Sequence, residues 1–361
     1  MLVHFVTRYS NAKTSRRSME EHSPKSVTST VILGGFKRAY FFFPRSGMEV
    51  KELRFIDGLC IRSFFPESLI RSTLAYSPRP DDIFVVSYPK CGTTWTQYLV
   101  LSVLTDGEPP TRLEDFMLAS PYMEMMGAEA AEKMPRPGLL KTHLPFDKQP
   151  YSKQAKYIYV ARNPYDVCVS YYYFLKSMTP KRVKDVSFSK FHQLFVSGSV
   201  SYGDYFDHLL LWYKHRHDNN VLFLTYEQLK KEPGFWALKI ANFLGGDYAD
   251  RLREDPVLLQ KVLDATMLEK MKQVFNGKMF TVIKRLLDLP PDRAIKSMEV
   301  YRSKLAHREE MHEDCGFVRK GVVGDWRAHF SKEQIKKTKS WIARKTEGSD
   351  VMELWKDLHL P

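Results

Sequence analysis

Cysteine is scarce in this 361-residue chain, and the few present are scattered. Cys60, Cys91, Cys168 and Cys315 form no Cys-x-x-Cys pair, which argues against a structural zinc site or a disulfide framework. There is no Asn-x-Ser/Thr acceptor with a non-proline middle residue, and a reduced, cytoplasmic setting fits both absences. No run of eighteen apolar residues occurs, so no membrane-spanning helix is expected; Val31–Phe43 comes nearest and is interrupted by Lys37 and Arg38. Acid is missing from the first nineteen residues, which carry Arg8, Lys13, Arg16 and Arg17. That composition is shared by transit peptides and plain disordered tails, and residues 1–49 read as a disordered extension. The net charge of +13 suits acidic ligands, yet no block of five basic residues and no basic stripe interleaved with aromatics is present. A nucleic-acid-binding protein would call for such a stripe, so no nucleic-acid or membrane partner is expected.

What is there begins after residue 50. Hydrophobic content of 43 %, with 23 Phe and 19 Tyr, is enough for a sizeable core and an aromatic-lined pocket. Apolar β-branched runs (Ile83–Ser87, Leu139–Lys141, Tyr157–Ala161, Val221–Thr225) alternate with helical stretches (Thr93–Leu104, a helix opening at Asn163-Pro164, Tyr205–His217, Phe235–Phe243). Alternation of this kind predicts an α/β fold with a parallel sheet covered on both faces. Ligands then bind beyond the carboxyl ends of the strands, where the polar clusters of this sequence fall.

Four clusters carry chemistry. Tyr88-Pro89-Lys90-Cys91-Gly92-Thr93-Thr94-Trp95 joins a strand to a helix and suits an anion: backbone N–H groups, a lysine and two hydroxyls converge. It is not a Walker A loop, because its lysine precedes the glycine. Lys141-Thr142-His143 places a potential general base beside a cation at the next strand end. Arg162 and Ser170 offer a fork and a hydroxyl to a second phosphate, or else an Arg–acid pair and a helix-bound serine. Arg319-Lys320-Gly321-Val322-Val323-Gly324-Asp325-Trp326 suggests a phosphate clamp, or a solvated basic loop.

Taken in order, Tyr-Pro-Lys-Cys-Gly-Thr-Thr-Trp, Lys-Thr-His-Leu-Pro, Val-Ala-Arg-Asn-Pro and Arg-Lys-Gly-x-x-Gly-Asp-Trp resemble the cytosolic sulfotransferases that use 3′-phosphoadenylyl sulfate (PAPS). The likeness spans roughly residues 50–355. It implies a single domain over residues 50–361, with a five-stranded parallel sheet flanked by helices and related to the P-loop nucleotide kinases. By position, Lys90, Cys91 (through its N–H), Gly92, Thr93, Thr94 and Trp95 would hold the 5′-phosphosulfate, with Trp95 stacking on adenine. His143 would be the catalytic base, with Lys90 and Lys141 stabilising transferring charge. Arg162, Ser170, Arg319, Lys320 and Gly321 would take the 3′-phosphate, and Tyr226 and Thr266 would sit near the nucleoside. No metal is implied.

Some features depart from the family pattern. Cys91 replaces a common serine, and a thiol beside Lys90 is expected to be acidified and oxidisable. Residues 274–315 read as a long insert over the acceptor pocket, and the stretch after Gly324-Asp325-Trp326 matches the family's dimer motif poorly, which leaves monomer or homodimer open. Phe116, Met117, Tyr122, Met123, Met125 and Met126 suit an adaptable acceptor pocket or, equally, a helix packing its core face. The acceptor would be a small phenol, alcohol or amine, the last drawn by Glu124 or Glu129. A small-molecule or nucleoside kinase of the same fold, or an inactive nucleotide-binding relative, is the alternative.

Overall fold

The computed structural model describes residues 53–177, 186–277, 279–306 and 318–361. The expected N-terminal extension, Cys315 and the final part of the 274–315 insert lie outside the described residues.

The chain opens with a hairpin of β1 (Leu53–Ile56) and β2 (Leu59–Arg62), joined by Asp57 and Gly58, both at positive φ (48° and 83°). A two-residue turn of that kind matches the twist of paired antiparallel strands. Four further strands, β3 (Asp82–Val86), β4 (Gly138–Thr142), β5 (Lys156–Ala161) and β6 (Val221–Thr225), form a separate parallel sheet in the order β4-β3-β5-β6. The parallel sheet is as the alternating pattern predicted. Its strand count among the described residues is four rather than five; β1 and β2 pair with each other and not with it.

Every residue of β3 is buried. Phe84 and Val86 point into one core with Leu140, Tyr157 and Tyr159; Ile83 and Val85 point into the other with Leu139, Ile158 and Val160. Period-2 alternation therefore separates two apolar layers rather than an inside from an outside, which is why these strands read as continuous hydrophobic runs. Register then aligns the strand ends: Val86 is level with Thr142 and with Tyr159, and Ala161 with Thr225. The residues that follow each strand, Ser87, His143, Arg162 and Tyr226, emerge along one edge.

The helix Pro164–Ser177 starts where the sequence placed it. Asn163 Oδ1 accepts the Asp166 backbone N–H at 2.9 Å, and proline occupies the first helical position, where its missing N–H costs nothing. Asn163 is anchored in turn by Glu227, which accepts from its backbone N–H and side-chain amide (2.9 and 2.8 Å). This fixes the exit of β5 against the exit of β6.

Candidate active site

The loop after β3 is shaped by two left-handed residues, Lys90 (φ 72°) and Gly92 (φ 101°), which turn the chain into the helix Thr93–Leu104. Glycine is required at 92 on a second count: a Cβ there would meet Tyr226 Cδ2 at 2.7 Å. Lys90 holds its ammonium 4.5 Å above the Phe174 ring. Burial, together with the like charges of Lys141, Arg162 and Arg319, lowers its pKa to about 7. Cys91 corrects the sequence expectation. Its side chain is fully buried, and desolvation raises the thiol pKa well above the usual value rather than lowering it.

The end of β4 carries His143. His143 Nδ1 lies 2.8 Å from the Ser87 carbonyl oxygen. A carbonyl only accepts, so Nδ1 carries the proton and Nε2 keeps its lone pair. Burial, reinforced by Lys141, depresses the imidazole pKa well below its usual value, so the ring is neutral at physiological pH. Tyr122 and Tyr202 flank it edge-on with centroids 5.3 and 5.5 Å away, and their hydroxyls meet at 2.5 Å. Lys141 lies over the Tyr122 ring at 4.4 Å, its pKa lowered to about 8 by burial against the opposing pull of Glu124.

Neither glutamate proposed for an amine lines the cavity. Glu124 is fully buried behind His143, accepting from the His143 backbone N–H at 2.6 Å and from Thr142 Oγ1 at 3.1 Å. Burial raises its carboxyl pKa to about 7. Glu129 is spent on the backbone N–H groups of Lys296 and Ser297 and on Lys133.

The end of β5 carries Arg162, whose guanidinium stacks 4.2 Å over the Tyr226 ring. It donates to the carbonyls of Lys90 (3.3 Å) and Val322 (3.1 Å), and so ties the first motif to the last. Asp166 is more distant, at 3.9 Å. Trp95 meets Tyr226 edge-on at 5.5 Å. Thr266 caps the helix Pro256–Ala265 and donates its hydroxyl to Leu263 O at 2.9 Å.

Lys90, Gly92, Thr93, Thr94, Trp95, Lys141, His143, Arg162, Ser170, Tyr226, Thr266, Arg319, Lys320 and Gly321 all line one cavity of about 320 Å³; Cys91 does not. Two buried N–H groups among them, Arg162 Nε and Trp95 Nε1, have no hydrogen-bond partner among the described residues. Buried cations and unspent N–H groups beside an aromatic wall fit a phosphorylated nucleotide. The described residues hold no cluster of His, Cys, Asp and Glu arranged for a metal.

At its apolar end the cavity is lined by Phe116, Met117, Tyr122 and Met125, whereas Met123 and Met126 pack in the core without reaching it. The methionine-rich stretch therefore divides: some of its side chains face the cavity and others the core. Phe64, Tyr202 and Phe280 complete that end and were not singled out from sequence. A Tyr-Gly pair such as Tyr202-Gly203 was the available signal, since Tyr202 takes φ 70°, beside Gly203 at 73°. Met279 and Phe280 come from the insert, where the helix Met279–Leu287 puts Phe280 edge-on to Phe64 at 5.7 Å.

A family model described as the sulfotransferase domain matches residues 80–286 and 292–350. The chain belongs to the sulfotransferase family. Human sulfotransferase 1C2 is 31 % identical over 287 residues, 77 % of this chain and 87 % of the relative. Sulfotransferase 1B1 of Canis lupus familiaris is 32 % identical, over 80 % and 90 %. The crystal structure of a mouse sulfotransferase complexed with PAP matches with a TM-score of 0.61 at 25 % identity, over 85 % of this chain and 98 % of that one. Retinol dehydratase in a complex with retinol and PAP gives 0.55 at 25 % identity, over 81 % and 89 %. The sulfotransferase match breaks at 287–291, within the insert and at the end of the helix Met279–Leu287 that brings Met279 and Phe280 to the cavity.

Proposed function

We propose that this sulfotransferase transfers the sulfuryl group of PAPS to a hydroxyl or amine of a small, predominantly apolar acceptor, with His143 as general base. One observation carries the role of His143: its Nδ1–H is committed to the Ser87 carbonyl at 2.8 Å, which leaves Nε2 as the proton acceptor of a neutral, cavity-lining imidazole. Lys90, Gly92, Thr93 and Thr94, with the backbone N–H of Cys91, would hold the 5′ side of the nucleotide. Arg162, Ser170, Arg319, Lys320 and Gly321 would hold the 3′ side, and Trp95, Tyr226 and Thr266 the nucleoside between them. When bound, PAPS supplies an activated sulfuryl group on a phosphate leaving group.

Tyr122 and Tyr202 confine the imidazole edge-on, so Nε2 keeps one direction of approach. Nε2 takes the acceptor proton as the nucleophile attacks in line. Lys90 and Lys141, poised near neutrality by burial, bring positive charge to the transferring and leaving oxygens. The apolar end, rich in Phe and Met, supports a phenol or hydrophobic alcohol as acceptor. The isolated cysteines support a cytoplasmic location.

The test is transfer of sulfur-35 from labelled PAPS to a panel of phenols, sterols and aryl amines. Wild-type protein is expected to label at least one class. His143→Ala should lose turnover by on the order of 10²-fold or more while binding adenosine 3′,5′-bisphosphate as before. Normal turnover in that variant would remove His143 from the mechanism.

A further inference from the structure

Arg319 and Lys320 lie in a stretch, 318–324, that forms neither helix nor strand. Without a backbone ladder, side chains must fix it. At one end Val318 donates its N–H to Asn276 Oδ1 (2.9 Å) and accepts from Asn276 Nδ2 (3.3 Å). At the other, Gly324 N donates to Asp166 Oδ2 at 2.7 Å. Between these ties, both cations meet one carboxylate. Arg319 Nη2 donates to Asp325 Oδ2 at 2.5 Å, and Lys320 Nζ donates to Asp325 Oδ1 at 2.7 Å. His329 Nε2 is a third neighbour of that carboxylate, 3.4 Å from Oδ2.

The placement separates the partners. Arg319 and Lys320 line the cavity; Asp325 does not, and its side chain is only 7 % exposed. The carboxylate therefore holds the cations from outside the volume a nucleotide would fill. Arg319 is held on another side by Tyr173, whose ring lies 4.6 Å from the guanidinium carbon. Burial pushes the Asp325 carboxyl pKa up, but hydrogen bonds from Lys320 and Arg319 outweigh it and hold the pKa at about 2, so the charge persists at any working pH.

We propose that Asp325 is a positioning residue for the 3′-phosphate of the nucleotide, fixing Arg319 and Lys320 in register so that their remaining N–H groups converge on one phosphate. The inference rests on the reading above that Arg319 and Lys320 take that phosphate. An arginine has five N–H donors and a lysine three, and the carboxylate engages one of each. Two long side chains held in advance need not be ordered at binding, which offsets the nearby negative charge.

Calorimetric titration with adenosine 3′,5′-bisphosphate and with adenosine 5′-phosphate tests this. Wild-type protein should prefer the bisphosphate. Asp325→Asn should weaken the bisphosphate by on the order of tenfold and leave the monophosphate unchanged, so the monophosphate serves as the folding control. In turnover, KM for PAPS should rise with kcat preserved, and Asp325→Glu should recover part of the loss. Unchanged or tighter bisphosphate binding in Asp325→Asn would overturn the proposal, since a mere competitor of phosphate behaves that way. An equal loss for both nucleotides would overturn it too, as a general fold defect. If wild-type protein bound the two nucleotides equally, the 3′-phosphate assignment itself would fail, and the role of Asp325 with it.

Discussion

Gly92→Ala perturbs the loop after β3, the proposed nucleotide loop, where φ is 101° and a Cβ has no room. The added Cβ would lie 2.7 Å from Tyr226 Cδ2, where an ordinary carbon–carbon contact is about 3.5–4 Å, so loop or ring must yield by about 1 Å. Overpacking of this kind costs about 1–3 kcal/mol. The backbone adds a second cost, since φ 101° at residue 92 penalises an L side chain by about 1–2 kcal/mol. The combined loss of stability should be about 2–5 kcal/mol, read from the urea midpoint. The damage should also reach function, because the Tyr226 ring carries Arg162 at 4.2 Å and meets Trp95 at 5.5 Å. Displacing it moves two walls of the proposed nucleotide site, and affinity for adenosine 3′,5′-bisphosphate should fall about tenfold, or 1.4 kcal/mol. A Tyr226→Ala background separates the two costs: the contact disappears and the φ penalty stays, so Gly92→Ala there should cost only about 1–2 kcal/mol. If Gly92→Ala in the wild-type background shifted stability by less than about 0.5 kcal/mol and left nucleotide affinity unchanged, the close-approach argument would be wrong.

Nucleotide binding at pH 8 should take up about one proton, because Lys90, with a pKa near 7 in the free protein, regains its charge beside a phosphate. Affinity should accordingly fall as pH rises through 7 to 8. Binding heats that do not differ between buffers of unlike ionisation enthalpy would refute this. Phe280→Ala should raise KM for an apolar acceptor several-fold and leave bisphosphate affinity intact, since Phe280 walls only the apolar end; a change in nucleotide affinity alone would contradict that placement. Stability should fall on acidification between pH 6.5 and 4, because burial holds His208 at a pKa of about 4 while the unfolded chain protonates near the usual value. At pH 5 His208 alone should account for about 2 kcal/mol, and identical urea midpoints at pH 7 and 5 would exclude it.

The sheet, and the polar residues that gather at its strand ends, were legible in the sequence because both follow from local signals. A strand buried on both faces is a continuous apolar run, and Ile83–Val86 and Tyr157–Ala161 have no other reading once a polar residue ends each. Asn163-Pro164 likewise declares a helix start. What stayed hidden depends on tertiary neighbours. Cys91 beside Lys90 suggested an acidic thiol, but burial decides its pKa, and burial is not local. Glu124 looked available to an amine until the end of β4 closed over it. Tyr202 carries no periodic signal, since it occupies a left-handed turn and reaches His143 only through the fold. The fifth strand was expected from resemblance alone, and the Asp57-Gly58 turn commits β1 and β2 to one another.

The bond from Arg162 to the Val322 carbonyl has a consequence during synthesis. The two ends of the proposed phosphate site are 160 residues apart in sequence. A ribosome that has made the whole parallel sheet, as far as Thr225, has made no complete nucleotide site. The nascent protein can therefore pair its strands before it can hold a nucleotide, while Trp326, Trp341 and Trp355 reach the core only with the last residues, and a ligand that binds only the finished site adds its stabilisation to full-length chains alone. Chains truncated before residue 318 should fold in part yet gain nothing from nucleotide.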